Sequence, residues 1–517
     1  MEEGGRLTAL SEFERMAEFL ASPATHGGAE VQRIDTHTAV VVVAGERAWK
    51  LRRPVDYGWL DYATLERRRG FAQAEIDLNA PTAPGLYLGL GGLLPQGGGW
   101  RLVPPDGTLP DTAEPLVVMR RFRQQDLFDR MAADGRLTPE LMRSLGKAVA
   151  DMHKAAPRRE GMGRLPAFAG REANELHHLE DILGAGAVAR FSAAVQARAA
   201  ACNGLAASRG ARRCHGDLHL RNIVLWQGRP APFDCIEFNE AFTNVDPLYD
   251  LAFLLMDLDH RGHGELSVEV FNAWAERMAS EPGAEVDTAY GGLKLLPFFK
   301  ACRAGIRAKV GALALQGRDL TAHADALTEA RAYLDLGISY LAGDGPARLI
   351  AVGGLSGSGK STLAWALARR LGAVVLRSDV IRKGLWGVDE TERLPAEAYA
   401  PEVSERVYGA MWDRAQMALS GGATVILDAA HLRADERDRA SGIAEAAGLR
   451  FDGIWLEAPV DRLKARVGAR GADASDATAA VIEKQTGYDL GPIRWQRIAA
   501  EAEPGRVAER AMAALGR

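Results

Sequence analysis

From Arg348 onward, short apolar runs alternate with stretches of helical periodicity: RLIAVGG, STLAWALARRLG, AVVLRSD, EVSERVYGAMWDRAQMALSGG, ATVILDAA and RFDGIWLEA. This alternation predicts a parallel sheet covered by helices. The earlier part of the chain has a different grain. Residues 31–53 (VQRIDTHTAVVVVAGERAWKLRR) predict two strands joined by a turn at Ala44-Gly45-Glu46, and a helical pattern follows through Thr64 to Asn79. After PLVVMRRF helical periodicity dominates, broken by the strand-like NIVLW and APFDCIEF, so a small sheet-containing lobe precedes a larger helical one. GGLLPQGGGW (Gly91 to Trp100) has the composition of a surface hairpin, and the breaker residues of GDGP (Gly343 to Pro346) predict a short linker. The expected organisation is a two-lobed α+β domain over 1–342, a linker over 343–347 and an α/β domain over 348–517.

Length agrees with this division, because single cores stop growing at roughly 250–300 residues and the chain has 517. A composition of 47% hydrophobic and 25% charged residues is the usual globular mixture. No apolar run approaches the ~20 residues that span a bilayer, so no membrane partner is expected. The N-terminal MEEGGRLTALSEFERMAEFL is acidic and mixed, unlike a secretion signal, which points to the cytoplasm. Cys202, Cys214, Cys235 and Cys302 show no C-x-x-C spacing, against a disulfide framework or a structural zinc site. A net charge of −5 supplies no whole-protein basic field and counts against a nucleic-acid partner. Oligomeric state is not indicated.

The chemistry concentrates in two places. Gly354-Leu355-Ser356-Gly357-Ser358-Gly359-Lys360-Ser361, followed by Thr362, fits G-x-x-x-x-G-K-[ST] between an apolar strand and a helix. Glycines let the backbone curl so that successive N–H groups and the helix N-terminus face phosphates. Lys360 adds a point charge near the β/γ oxygens, and Ser361 offers a hydroxyl to Mg²⁺. Arg377-Ser378-Asp379 and then Arg382 form S-D-x-x-R outside the carboxyl end of the next strand, where an acceptor would lie. Asp379 suits acceptance of a hydroxyl proton and Arg382 suits contact with substrate, the alternative for Asp379 being a helix cap. The strand ATVILDAAH delivers Asp428, either to orient Mg²⁺ or to cap a helix. Arg462, Arg466 and Arg470 recur at helical spacing as a lid over phosphates or as a solvated face, with Arg466 and Arg470 preferred by position. This part of the chain resembles the P-loop kinases grouped as AAA-domain predicted kinases, related to gluconate kinase, zeta toxins and polynucleotide 5'-kinase. The resemblance implies an α/β P-loop NTPase fold and phosphoryl transfer to a hydroxyl.

Upstream, CHGDLHLRN (214–222) is followed by APFDCIEF. An Asp five residues before an Asn, with a second Asp at the end of a nearby strand, is the arrangement by which a kinase fold sets one carboxylate beside the acceptor and an amide and carboxylate on Mg²⁺. Asp217, Asn222 and Asp234 are the candidates, against the alternative of a polar turn. This order and spacing resembles the aminoglycoside phosphotransferase family, which implies a two-lobed protein-kinase-like fold. The resemblance gives Lys50 to the nucleotide's phosphates and Glu75 to Lys50 as its ion pair, with Glu66 the competing partner. It makes LVVMRRF (Leu116 to Phe122) a hinge, His215 a residue that positions its loop, and Asp250 a structural brace; His219 has no assigned part. Thr36-His37-Thr38 stands where a protein kinase has a glycine-rich loop.

The two resemblances together imply one chain with two phosphotransfer sites. Each would use ATP or GTP and Mg²⁺ on a small-molecule hydroxyl acceptor such as a sugar, polyol, aminosugar or nucleoside-like metabolite. The competing readings are a P-loop kinase regulated by a nucleotide-binding N-terminal domain, and a kinase of nucleic-acid ends or nucleotide sugars.

Overall fold

The computed structural model of the chain describes residues 2–159, 165–280, 286–343, 345–469, 471 and 474–516. It divides into two compact units, one of Met1–Leu137, Ala156–Arg159 and Arg212–Val245, the other of Thr138–Ala155, Glu160–Ala211 and Asp246–Arg517. No described helix is long and apolar enough to cross a membrane. All four cysteines are buried and form no disulfide.

The first unit is built on an antiparallel sheet of β1 (Val31–Asp35), β2 (Ala39–Ala44), β3 (Arg47–Arg52), β4 (Tyr87–Gln96), β5 (Gly99–Val103) and β6 (Glu114–Arg120), in the order β1-β2-β3-β6-β4-β5. The turn expected at Ala44-Gly45-Glu46 joins β2 to β3, with Ala44 opposite Arg47. VQRID, however, is a separate edge strand, and Thr36 N–H donates to Ala39 O at 2.9 Å to close the tight connection to β2. The β4–β5 hairpin turns through Gly97 (φ 59°) and Gly98 (φ 79°), two left-handed positions that a tight hairpin favours. Alternation along AVVVVA explains the layering. Val40 and Val42 face Phe13, Ala17 and Leu20 of the helix Glu2–Ala21, while Val43 faces Ala72 and Ile76 of the helix Leu65–Asn79. Thr64 caps that second helix by accepting from Arg67 N–H at 3.2 Å.

After the short strands β7 (Arg158–Arg159), β8 (Ala211–Arg213), β9 (Ile223–Trp226), β10 (Arg229–Pro232) and β11 (Asn244–Val245), the C-terminal half of the second unit carries an all-parallel sheet of β12 (Arg348–Gly354), β13 (Val374–Arg377), β14 (Val425–Asp428), β15 (Arg450–Glu457) and β16 (Gln496–Ala499). Its order is β13-β14-β12-β15-β16. Ile350, Val352, Val375, Ile426 and Ile454 form a core with Leu363, Leu367 and Ala368 of the helix Lys360–Leu371. The remaining half of the unit is helical. There Asp246 caps the helix Pro247–His260 by accepting from Leu248 N–H at 2.8 Å, and Asp250, wholly buried, accepts from His153 Nε2 at 3.0 Å, the bracing part expected of it.

The division by compactness does not fall at the GDGP stretch, whose Asp344 lies outside the described residues; the helical half groups with the parallel sheet. Specific contacts hold it there. Glu269, fully buried on the helix Gly264–Met278, takes Arg369 of the helix Lys360–Leu371 at 2.5 Å and Arg143 at 2.7 Å. Asn272 behaves as a short surrogate strand along the outer edge of β13, donating to Ala373 O at 3.0 Å and accepting from Val375 N–H at 2.7 Å. A Cβ at Gly384 would lie 2.5 Å from Ser280 O, so the helix Ser378–Leu385 meets the helical half at backbone distance.

Candidate active sites

In the first unit, the pleat of β3 sends Trp49 and Leu51 to one face of the sheet and leaves Lys50 and Arg52 on the other, toward the helix Leu65–Asn79. Both cations converge on Glu75, which is 0% exposed. Lys50 Nζ lies 3.0 Å from Glu75 Oε2 and 2.6 Å from Asp234 Oδ1; Arg52 also pairs with Glu75 and lies 2.8 Å from Glu237. Tyr62 donates its hydroxyl to the same Glu237 at 2.7 Å. Glu66 is exposed, so of the two acids weighed for Lys50 the structure brings Glu75 to it. Burial disfavours the Lys50 ammonium, but Asp234 and Glu75 outweigh it and hold the group charged. Burial likewise works to raise Asp234, and Lys50 beside it still keeps the carboxyl below the usual range.

Asp234 adopts φ 58°, a left-handed conformation that costs a non-glycine residue about 1 kcal/mol or more. Its surroundings impose that bend. Asp234 N–H donates to Tyr87 Oη at 3.1 Å, Cys235 N–H donates to Asn79 Oδ1 at 3.0 Å, and Asn79 in turn donates to Glu75 O at 2.7 Å. The end of the helix that carries Glu75 therefore also fixes the turn after Asp234. In the loop upstream, Asn222 Nδ2 donates to Asp217 Oδ2 at 3.0 Å, and His219 Nε2 lies 3.3 Å from the same oxygen. His215 Nε2 donates to Phe233 O at 3.0 Å and its Nδ1 accepts from Asp217 N–H at 3.3 Å, which makes it a spacer between the two acidic segments. Thr36 closes the turn in place of a glycine-rich loop, its hydroxyl donating to Ala39 O at 2.8 Å. LVVM lies in the buried part of β6, and Arg120 ends the strand exposed. Arg52, Tyr62 and Glu237 carried no sequence signal, and His219 had no assigned part.

In the second unit, β12 runs into the glycine loop. Gly354 (φ 138°), Gly357 (φ 81°) and Gly359 (φ 94°) all take left-handed conformations. A Cβ at Gly354 would lie 2.6 Å from Leu456 O, and one at Gly357 would lie 2.6 Å from Leu463 O in the helix Val460–Gly468. The loop is thus a cradle whose walls leave no room for side chains there. Ser356 N–H donates to Gln485 Oε1 at 2.9 Å, a contact no motif announced. Lys360 Nζ donates to Leu355 O at 3.1 Å; Ser361 and Thr362 begin the helix Lys360–Leu371. Ser358 Oγ is buried and has no hydrogen-bond partner among the described residues. An orphaned hydroxyl and a glycine-lined curl of backbone fit a phosphate chain, and the Ser361 hydroxyl with the Asp428 carboxylate is an oxygen donor set of the kind Mg²⁺ takes.

Asp428 ends β14 directly opposite Arg377, whose Nε lies 3.5 Å from its carboxylate. It caps no helix: the next begins at Ala434 with Arg433 in the cap position. Asp379 is not a cap either, because that position belongs to Arg377. Burial raises the Asp379 carboxyl and Asp428 raises it further, against Lys360, Arg377 and a hydrogen bond from Ser475. Arg382, expected at the substrate, is buried with Nη1 donating to Ala398 O at 2.6 Å and its guanidinium over the Tyr399 ring at 4.9 Å. Arg466 donates to Ala500 O at 2.6 Å, Arg462 is exposed, and Arg470 lies outside the described residues.

Family models match both parts of the chain. Residues 38–285 match the model described as Phosphotransferase enzyme family, and residues 349–488 match one described as AAA domain. Uncharacterized protein Rv2004c of Mycobacterium tuberculosis is 31% identical over 476 residues, covering 88% of this chain and 90% of its own length. Uncharacterized protein Mb2027c of Mycobacterium bovis matches with the same figures of 31%, 88% and 90%. Among solved structures, a gluconokinase from Sinorhizobium meliloti 1021 aligns over 33% of this chain and 93% of its own, at 22% identity and a TM-score of 0.25. A choline/ethanolamine kinase family protein from Mesorhizobium loti aligns over 63% and 98%, at 18% identity and a TM-score of 0.38. The chain belongs to the same family as the two mycobacterial proteins, and within it a kinase-like domain of the phosphotransferase enzyme family is joined to a P-loop domain of the AAA type.

Proposed function

We propose that the chain is a two-site small-molecule kinase, with functional domains over 1–342 and 348–517, each transferring the γ-phosphoryl group of ATP or GTP to a hydroxyl of a sugar, polyol or aminosugar-like metabolite. The observation that carries this reading is the bridge from Lys50 to both Glu75 and Asp234, at 3.0 and 2.6 Å. A domain that only sensed nucleotide could keep this bridge for the phosphates, but it would have no need of the further carboxylate, Asp217, held 3.0 Å from Asn222 Nδ2 for an acceptor's proton. Asp217 accepts the proton of the attacking hydroxyl at the first site, and Asn222 and Asp234 are the residues that would hold Mg²⁺. At the second, backbone N–H groups of the glycine loop, Lys360 and Arg466 hold the phosphates, Asp379 takes the acceptor's proton, and Ser361 and Asp428 would hold the metal. When bound, Mg²⁺ neutralises charge on the β/γ oxygens.

The reading is tested by incubating the full chain and its Asp217→Asn and Lys360→Ala variants with a panel of sugars, polyols and aminosugars, reading diphosphate release and product mass. Each variant is expected to lose one distinct product. Nucleotide-induced shifts in melting temperature give an independent readout, with Lys360→Ala removing one of two shifts. If Asp217→Asn leaves every product intact, the first site is not an enzyme and the two-site reading is wrong.

A further inference from the structure

Three large aromatic side chains of the first unit stand open to solvent side by side: Trp59 at 49%, Tyr57 at 44% and Phe242 at 42% exposed. Trp59 is their centre, its ring 5.7 Å from Tyr57 in a stacked arrangement, 5.7 Å from Phe238 and 6.5 Å from Phe242. Exposed apolar residues are ordinarily scattered singly, and a contiguous patch of rings is the kind of surface that meets a ligand or a partner. The support beneath it is rigid. In residues 55–62, Tyr62 N–H donates to Val55 O at 2.8 Å and Tyr57 N–H to Leu60 O at 2.9 Å, and the chain turns through Gly58 at φ 79°. Asn239 joins the two halves of the cluster: its Nδ2 donates to Trp59 O at 3.0 Å, and its Oδ1 accepts from Ala241 N–H at 3.0 Å.

Both ends of the cluster are tied to the first site. The segment that carries Phe238 and Phe242 is strapped to the loop before Asp217, with Ile236 N–H donating to His215 O at 3.0 Å and Cys214 N–H to Thr243 O at 2.7 Å. A Cβ at Gly216 would lie 3.1 Å from Phe242 O, so the residue before Asp217 packs against the backbone of Phe242. At the other end the Tyr57 hydroxyl donates to His37 O at 3.3 Å, in the turn that stands in place of a glycine-rich loop over the phosphates. An acceptor that gives its proton to Asp217 and attacks a phosphate beneath that turn has to lie between these two anchors.

We propose that Tyr57, Trp59 and Phe242 form the acceptor platform of the first site, and that the acceptor presents its hydroxyl on a ring with a flat apolar face. The inference rests on the role given to Asp217 above. A cyclic sugar offers such a face, its C–H groups packing on the indole while its hydroxyls stay at the rim. An open-chain polyol has no comparable face and loses more torsional freedom when it is bound. The flat base of a nucleoside shares the same chemistry. Trp59 is thus a specificity-determining residue that selects rings over chains, and it takes no part in proton transfer.

The test measures KM and kcat of the full chain with Mg²⁺ and saturating ATP or GTP, for a panel of hexoses each set against its own alditol, with adenosine as a further arm. Only product that disappears in Asp217→Asn is counted, which confines the measurement to the first site. Cyclic members are expected to be preferred over their alditols. Trp59→Ala is expected to raise KM for them roughly 3- to 10-fold, the worth of one aromatic contact, while kcat and the nucleotide-induced shift in melting temperature stay close to the parent; Trp59→Phe should recover most of the loss. Adenosine turned over with the same dependence on Trp59 upholds the platform and makes the ring a base. Asp217-dependent product formed from alditols as readily as from rings, or a KM unmoved in Trp59→Ala, overturns the platform and leaves the two-site reading standing. Absence of Asp217-dependent product from every member overturns both. A Trp59→Ala chain that loses a dimer in sedimentation while its KM is unchanged assigns the cluster to a second copy and overturns the proposal.

Discussion

Replacing Asn272 with Leu tests whether the helical half is part of the P-loop kinase or merely attached to it. The substitution keeps the branched four-atom side chain, with bulkier methyl groups at its ends, and removes three hydrogen bonds, of which two reach β13: from Asn272 to Ala373 O at 3.0 Å and from Val375 N–H to Asn272 at 2.7 Å. Asn272 is 1% exposed, so water cannot replace the lost partners without entering the interface. A buried backbone group left unpaired costs about 1–3 kcal/mol, and two such groups give ~2–4 kcal/mol after partial relaxation. The loss falls on β13, the edge strand whose outer side this amide pairs with, and Asp379 follows two residues after that strand ends. Hydrogen exchange is the direct assay: protection of the Val375 amide is expected to fall by ~30-fold or more, by the conversion of about 2 kcal/mol. Lys360-dependent transfer is expected to fall with it, while nucleotide affinity, which is set by the loop after β12, stays close to wild type. An Asn272→Leu chain whose Val375 amide exchanges as slowly as in the parent refutes the argument that this side chain completes the sheet.

Glu75→Gln leaves Lys50 and Arg52 short of one buried negative charge, and removing one partner of a buried pair costs about 3–5 kcal/mol; a melting curve and nucleotide titration should show both a large loss of stability and weakened binding at the first site. Glu276 lies on the helix Gly264–Met278 with Oε1 buried and unpartnered among the described residues, and burial lifts its carboxyl to about 7 against the attraction of Arg377. A carboxyl with a raised folded value binds its proton more tightly in the folded chain, so its contribution is favourable below about 4.5, where both states are protonated, and declines as pH rises toward about 7. The decline is at most ~3 kcal/mol, and Glu276→Gln should flatten that part of the stability profile measured by denaturant unfolding between pH 4.5 and 8. Gly357→Ala places a Cβ 2.6 Å from Leu463 O at φ 81° and should abolish nucleotide binding at the second site while binding at the first persists, as read by titration calorimetry.

What was legible in the sequence is what local chemistry specifies. The glycine loop could be read because its left-handed positions, Gly354, Gly357 and Gly359, demand that residue wherever the strand-to-helix turn is made. Asp217, Asn222 and Asp234 could be read because their spacing is set by one loop and one hairpin, Lys50 followed from the family resemblance, and the structure gathers Lys50 with Asp234 and Asp217 with Asn222. Arg52 and Glu237 could not, since they meet across a separation of 185 residues and nothing in either neighbourhood marks them. The break that separates VQRID from AVVVVA was hidden for another reason: at the edge of the sheet the exposure of VQRID follows no clean alternation. The pattern around Arg382 led to the expectation of a substrate contact, whereas in the structure its guanidinium donates to a nearby carbonyl, Ala398 O.

The same distinction bears on how the chain is partitioned. Turn-forming residues at GDGP mark where the backbone can change direction, but compactness is decided by which surfaces are complementary, and Glu269 and Asn272 supply that complementarity far upstream. A buried carboxylate shared by Arg143 and Arg369 would be costly without both partners, so the Glu269 charge is balanced partly within the helical half and partly by Arg369 of the helix Lys360–Leu371. Separate expression of residues 348–517 would strip Arg369 of its acid and leave the outer edge of β13 without its amide. That fragment should therefore be less stable and more prone to aggregate through its open edge than the same domain within the chain. A fragment that melted as late as the full chain and stayed monodisperse would show that the interface only tethers the two halves.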